Sequence, residues 1–218
     1  MKTLFINISL TLSLVIISPF SLQSQALQKL NPKNWNKKEI VEEKSFEQLK
    51  DKAIGGKEGE RIKNYMLKEA QSLKKIEGSI ISIIRNGEII KVSIPASKLF
   101  DPNDTILFSN VENIFSPFVK ETRDSLIDIV ITSHYDNTGT PLFINSISSA
   151  RGNAVYDWFL ANGVKEKQIS LYCYGSDQPL FENSSMANRA KNRRITIYLI
   201  PTQKMYKMAK KNKLNKNK

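Results

Sequence analysis

Residues 127–132, IDIVIT, form a β-branched run of the kind that fills a buried strand. They end in the polar turn Ser133-His134-Tyr135-Asp136-Asn137-Thr138-Gly139. A strand that stops there leaves the Asp136 carboxylate at its C-terminal mouth. In the next stretch Ile144, Ile147, Ala154, Val155 and Trp158 share one helical arc, and at about 100° per residue Arg151 falls in the middle of it. A guanidinium in an apolar arc either snorkels to water along a packed stem or finds a partner. A short connection folds such a helix back over its strand, so Asp136 and the first helical turns converge on one rim of a sheet. One carboxylate and one planar cation in a cleft suit a ligand that carries an ammonium and a carboxylate of its own. An internal ion pair without a ligand is the other arrangement these residues allow.

The rest of the chain keeps the same alternation. Residues 57–75 are amphipathic, with Ile62, Tyr65, Met66, Leu73 and Ile76 set against charges, which predicts a helix on the domain edge. Runs at 79–84 and 88–94 flank Asn86-Gly87, a pair that favours a two-residue turn with positive φ twice, so a hairpin is expected. Val111, Ile114, Phe115, Phe118 and Val119 give a helical period, with Ser109 and Glu112 as a capping box and Pro117 as a kink. There follow a strand over 127–133, a helix over 144–162 stopped by Asn162-Gly163, a strand over 168–174, a short helix near 185–191 and a strand over 193–199 ended by Pro201. Arg193 and Arg194, adjacent in that last strand, would point to opposite faces. The pattern predicts an α/β chain, an α+β sandwich in which helices pack against one sheet.

Residues 1–26 read as a secretory signal peptide, with Lys2, an apolar core to Phe20 and a Ser24-Gln25-Ala26 cleavage site. An uncleaved anchor is the competing reading, but Asn7 and Pro19 leave the apolar stretch short of a transmembrane span. Residues 27–56 read as a polar spacer with a short helix near 38–50, residues 57–202 as one domain, and residues 203–218 as a Lys-rich tail. The lone Cys173 excludes an intramolecular disulfide and reads as a buried thiol. The formal charge of +12 suggests nucleic acid until it is located. Lys204, Lys207, Lys210, Lys211, Lys213, Lys216 and Lys218 supply much of it with no acid among them, and with Lys2 removed the remainder is only about +4. No basic stripe with interleaved aromatics appears in the body.

The stretches HYDNTG, SISSARGNAV with Arg151 fifteen residues after Asp136, GSDQP and NRAKNRRITI occur in that order over the second half of the chain. In that order and spacing the chain resembles the OmpA-like C-terminal domain that binds peptidoglycan. The resemblance implies a β-α-β-α-β-β mixed sheet with helices packed against it, to which this chain adds an N-terminal helix and a hairpin strand. It implies that Asp136 and Arg151 clasp the zwitterionic end of meso-diaminopimelate, that Thr138 lies in the binding turn, and that Arg193 matches the first arginine of an NRR motif. Asn103, in the 100–105 loop, matches a residue that contacts the peptide stem. The chain departs from the family pattern at Ile144, where asparagine is usual, with Asn145 beside it. Tyr135, Ser133 and Gly152 also replace threonine, glycine and alanine.

Peptidoglycan is thus the implied partner, in the periplasm at the cell wall or outer membrane, with an envelope or outer-membrane protein or a second copy of the chain as further partners. Neither a cofactor nor nucleic acid is implied. Ser133, His134 and Asp136 are the residue types of a hydrolase triad, but strand neighbours point apart and no G-x-S-x-G elbow is present. One histidine and one cysteine make a poor metal set. The expectation is a non-catalytic binder; the alternative is a basic envelope adaptor that holds anionic lipid or lipopolysaccharide through the Lys-rich tail.

Overall fold

The computed structural model describes residues 53–74 and 76–214. The expected signal segment and nearly all of the spacer, with its short helix, lie outside the described residues. Strand β5 (Arg194–Pro201), buried along its whole length, is the middle of a five-stranded sheet. On one side it pairs antiparallel with β2 (Ile89–Pro95), which pairs antiparallel with β1 (Ile80–Ile84). On the other it pairs antiparallel with β3 (Ile127–His134), which runs parallel to β4 (Ile169–Gly175). The order is β1-β2-β5-β3-β4, a mixed sheet in a mixed α/β fold.

Period-two alternation sends Ile195, Ile197 and Leu199 of β5 into the main core and Tyr198 and Ile200 to the opposite face. The same core takes Ile62, Met66 and Leu73 from α1 (Gly56–Leu73), Phe115 and Phe118 from α2 (Glu112–Thr122), and Val155 and Phe159 from α3 (Pro141–Ala161). Phe115 lies 5.1 Å from Trp158 and 5.2 Å from Phe159, ring to ring. Each such ring removed from water contributes roughly 2–3 kcal/mol, so this cluster holds α2 and α3 on the sheet. Among the described residues no helix is long and apolar enough to cross a membrane.

Four local features differ from the sequence expectation. The hairpin forms, but its connection is the four residues 85–88, with Arg85, Asn86 and Gly87 all at positive φ. The reason is a buried ion pair. Arg85 Nε sits 2.9 Å from Glu88 Oε2, while Glu88 Oε1 accepts the Ile54 and Gly55 amides that begin α1. Helix α2 starts without the Ser109–Glu112 box, its N-cap being Val111, and Pro117 lies inside it. Helix α3 begins earlier than its apolar period suggests: Thr140 Oγ1 accepts the Phe143 amide at 3.2 Å, and Pro141 stands at the first helical position.

Lastly, residues 203–218 are not all tail. Gln203–Lys210 form a helix, α5, with Met205 and Ala209 at 0% exposure in the main core. The short helix α4 (Met186–Asn192) ends just before β5, so Arg193 precedes the strand instead of lying in it.

Asp128 of β3 faces away from the helices, and burial pushes its carboxyl up to about 6, with Lys167 pulling partly the other way. The folded chain therefore retains a proton that the unfolded chain releases between about pH 4 and 6, and stability falls as pH rises through that window. Asp128→Asn, neutral throughout, is expected to raise stability at pH 7 by about 1 kcal/mol after discount for partial exposure, and to change little near pH 3. Thermal melts at the two pH values check this, and a lower melting temperature for the variant at pH 7 contradicts it.

Candidate functional site

The rim where β3 ends is fixed by contacts between β3 and α3. Ser133 Oγ donates to the Ser148 carbonyl at 2.7 Å and Ser148 Oγ donates to the Ser133 carbonyl at 3.0 Å. The Tyr135 amide continues the parallel ladder to the Gly175 carbonyl at 2.7 Å. A Cβ on Gly152 would lie 2.9 Å from both Cys173 Sγ and Leu171 Cδ1, so the missing side chain sets how near α3 comes. Packed there, the Cys173 thiol is pushed up to about 12 by burial.

Beyond Tyr135 the chain turns, and the Asp136 side chain is 0% exposed. One carboxylate oxygen accepts the Thr138 amide at 2.7 Å. The other is ion-paired with Arg193 Nη1, a residue that arrives from the far end of the sequence at the start of β5. The Arg193 side chain is 35% exposed, so the pair stands at the surface on its arginine side.

Arg151 is buried on α3, as its place in the apolar arc requires, and it does not snorkel. Its Nε donates to the Asp104 carbonyl at 2.7 Å and its Nη2 to the Asp101 carbonyl at 3.0 Å, which fastens the 101–104 loop onto the helix. Its guanidinium carbon stands 5.0 Å from the Phe100 ring centre and 5.7 Å from that of Tyr135. Burial holds Arg151 below the ordinary arginine range. Tyr135 and Asp104 oppose that shift, while the neighbouring Arg193 charge adds to it. Asp104 turns its carboxylate into its own loop, where the Ile106 and Thr105 amides hold it below the usual carboxylate range.

Of the expected residues, Thr138 and Arg193 each contact Asp136, while Arg151 lies over the ring of Tyr135, the residue next to Asp136. Asn103, at φ 57, is tied to the same rim because the Tyr135 hydroxyl donates to its Oδ1 at 2.9 Å. The internal pair is thus Asp136 with Arg193, while Arg151 satisfies two donors on backbone carbonyls. The roles of Tyr135 and Phe100 as the aromatic bed of Arg151 were not evident from the sequence; the tyrosine beside Asp136 was the available signal. Ile144 is buried with Tyr135 and Ile147, so the wall is apolar where an amide could have stood.

The site therefore pairs one guanidinium, Arg193, with a buried carboxylate and holds a second, Arg151, on the neighbouring loop carbonyls. That carboxylate has lone pairs left for an ammonium, and Arg151 keeps donors beyond the two used on the loop. Ser133 and His134 diverge: Ser133 bonds to α3, whereas His134 Nε2 lies 2.8 Å from Thr132 Oγ1 and its ring stacks on Tyr174. Among the described residues no group of three or more His, Cys, Asp or Glu is placed to hold a metal ion.

Arg194 goes elsewhere, to the Gln178 carbonyl at 3.0 Å, and burial lowers it to about 10. Arg151→Ala is expected to speed amide exchange by about tenfold or more across residues 101–106 while the helices keep their protection, since about 1–3 kcal/mol of loop fastening is lost. Arg151→Lys should restore little, because one ammonium does not reproduce the guanidinium's fork. Unchanged exchange in the loop of either variant contradicts this role.

Comparison with known proteins places these residues in context. Residues 99–193 match the model of the OmpA family. The chain is 26% identical over 138 residues to Probable lipoprotein YiaD of Escherichia coli, covering 62% of each chain. It is 35% identical over 69 residues to the peptidoglycan-binding protein ArfA of Mycobacterium tuberculosis, covering 32% of this chain and 21% of that one. The chain thus spans less than two thirds of either relative. Among solved structures, a MotB-like protein from Desulfovibrio vulgaris superposes with a TM-score of 0.57 at 21% identity, covering 66% of this chain and 98% of that one. At that identity the likeness is one of fold.

Proposed function

We propose that the protein, whose residues 99–193 match the model of the OmpA family, binds peptidoglycan non-covalently and without catalysis, linking the cell wall to the envelope. The single observation that carries the reading is the buried Asp136 carboxylate at the end of β3, bonded to the Thr138 amide and paired with Arg193, with Arg151 over the ring of the adjacent Tyr135. A buried acid paired with one guanidinium, with a second guanidinium on the same rim, favours a ligand end with one ammonium and at least one carboxylate. The meso-diaminopimelate of a stem peptide has that chemistry. In this reading Asp136 accepts from the ammonium, Arg151 holds the distal carboxylate, and Arg193, Asn103 and the amide of Thr138 complete the cradle. The similarity to ArfA, a peptidoglycan-binding protein, supports the ligand class. The divergence of Ser133 and His134 speaks against a hydrolase triad.

In this proposal the protein works in the periplasm, at the wall or outer membrane, with an envelope protein or a second copy as what it tethers. Calorimetric titration with soluble muropeptides tests the cradle. Lysine-type stems lack the distal carboxylate and would leave Arg151 half-satisfied, so they should bind about 2–4 kcal/mol more weakly than diaminopimelate-type stems. Asp136→Ala should abolish retention on sedimented sacculi while circular dichroism stays close to the parent. Equal affinity for the two stem types removes Arg151 as the carboxylate clamp. Wild-type retention by Asp136→Ala removes the rim as the wall site.

A further inference from the structure

Residues 203–214 of the Lys-rich end belong to the folded domain, and their place in the fold gives them a meaning the sequence lacks. Strands β3 and β5 pair in antiparallel register from Ile127 with Pro201 to His134 with Arg194. Asp136 and Arg193 are therefore at one end of the sheet, and the chain leaves β5 at the other, about 23 Å away at ~3.3 Å per residue. There the Thr202 amide bonds the Leu126 carbonyl at 2.9 Å, and Thr202 Oγ1 caps α5 by accepting the Met205 amide at 3.3 Å. Arg61 donates to the Ala209 carbonyl at 2.9 Å and Arg85 to the Tyr206 hydroxyl at 2.8 Å.

The helix also stops in an ordered way. Asn212, at φ 55, donates to the Ala209 carbonyl at 3.0 Å, and the Lys213 amide donates to the Met208 carbonyl at 2.9 Å, the two bonds of a Schellman cap. Leu214, 6% exposed, then returns to the main core. The lysines are therefore displayed on a docked, terminated element.

Lys204, Lys207, Lys210, Lys211 and Lys213 are all exposed, and no acid occurs between residues 201 and 218. Lys204 donates to the Asp124 carbonyl at 2.7 Å, which leaves four ammonium groups pointing to water. Lys165, Glu166 and Lys167, at the start of β4, lie at this same end because β4 runs parallel to β3. Asp124, Asp128 and Glu166, with Glu88 beside Tyr206, offset part of the charge, but against Lys204, Lys207, Lys210, Lys211, Lys213, Lys165 and Lys167 the balance stays positive.

We propose that this basic end docks on a membrane surface bearing anionic phospholipid headgroups, so that the fold presents one end to lipid and the opposite rim to its ligand. Four point-charge ammonium groups without an arginine fork suit a diffuse field of phosphates better than one oriented anion. Tyr206, the one aromatic among them, is engaged by Arg85 and the core, which leaves no platform for stacking nucleobases. The inference rests on charge and position at this end and stands apart from the rim.

The test is partition of the full chain between buffer and vesicles, either pure phosphatidylcholine or equal parts phosphatidylcholine and phosphatidylglycerol. The apolar N-terminal stretch contributes to both, so the readout is the anionic-over-neutral ratio. The fourfold variant Lys207→Gln, Lys210→Gln, Lys211→Gln, Lys213→Gln should lower that ratio at least about tenfold while its melting and sacculus retention match the parent. Truncation at residue 202 is unsuitable, since it also strips Met205, Ala209 and Leu214 from the core. Asp136→Ala should leave the ratio unchanged, which separates a failure at this end from a failure at the rim. A parental ratio in the fourfold variant, equal binding to both vesicles by the parent, or release by inorganic phosphate beyond that by chloride of equal ionic strength would each overturn the proposal.

Discussion

At Gly152 helix α3 comes so near the sheet that an added Cβ would lie 3.2 Å from Ser133 Cβ and nearer still to the side chains of β4. That approach, locked by the reciprocal Ser133 and Ser148 bonds, decides where Arg151 stands, one residue earlier on the same helix. Arg151 in turn holds the 101–104 loop by two carbonyls, and the loop carries Asn103 to the hydroxyl of Tyr135. Asp136 follows Tyr135 directly. The rim is thus one chain of dependences that begins with a missing side chain and ends at a buried carboxylate.

Two energetic demands meet there. A buried guanidinium needs acceptors, and the loop carbonyls provide them at a distance that also fixes the loop. A buried carboxylate needs donors, and it takes one from its own turn and one from Arg193, which is brought from the other side of the sheet order only because β5 pairs with β3. The fold and the site are consequently not separable: a substitution at Arg151 or Arg193 changes what a ligand meets and also what holds the rim.

Much of this was legible in the residues. The β-branched run of β3, its polar stop at Asp136, the apolar arc of α3 around Arg151 and the hairpin across Asn86-Gly87 all follow from short-range periodicity and turn chemistry. What was not legible depends on partners distant in sequence. Nothing local marks Arg193 as the companion of Asp136, and backbone carbonyls, which satisfy Arg151, leave no trace in a sequence. The hairpin connection is longer than its Asn-Gly pair suggests because Arg85 and Glu88 leave the ladder to pair in the interior. Helix α5 was hidden because its buried residues, Met205 and Ala209, stand among a run of lysines. The early start of α3 was readable from Thr140-Pro141, a cap signal that the apolar period alone does not include.

The central claim is that the rim at the end of β3 receives an ammonium on Asp136 and a carboxylate on Arg151. A crystal structure of the protein with a diaminopimelate-type stem peptide measures this directly. The account predicts the ligand ammonium within hydrogen-bond distance of the Asp136 carboxylate, and its distal carboxylate on the Arg151 guanidinium. A peptide bound elsewhere, or seated at the rim without touching either side chain, would contradict it.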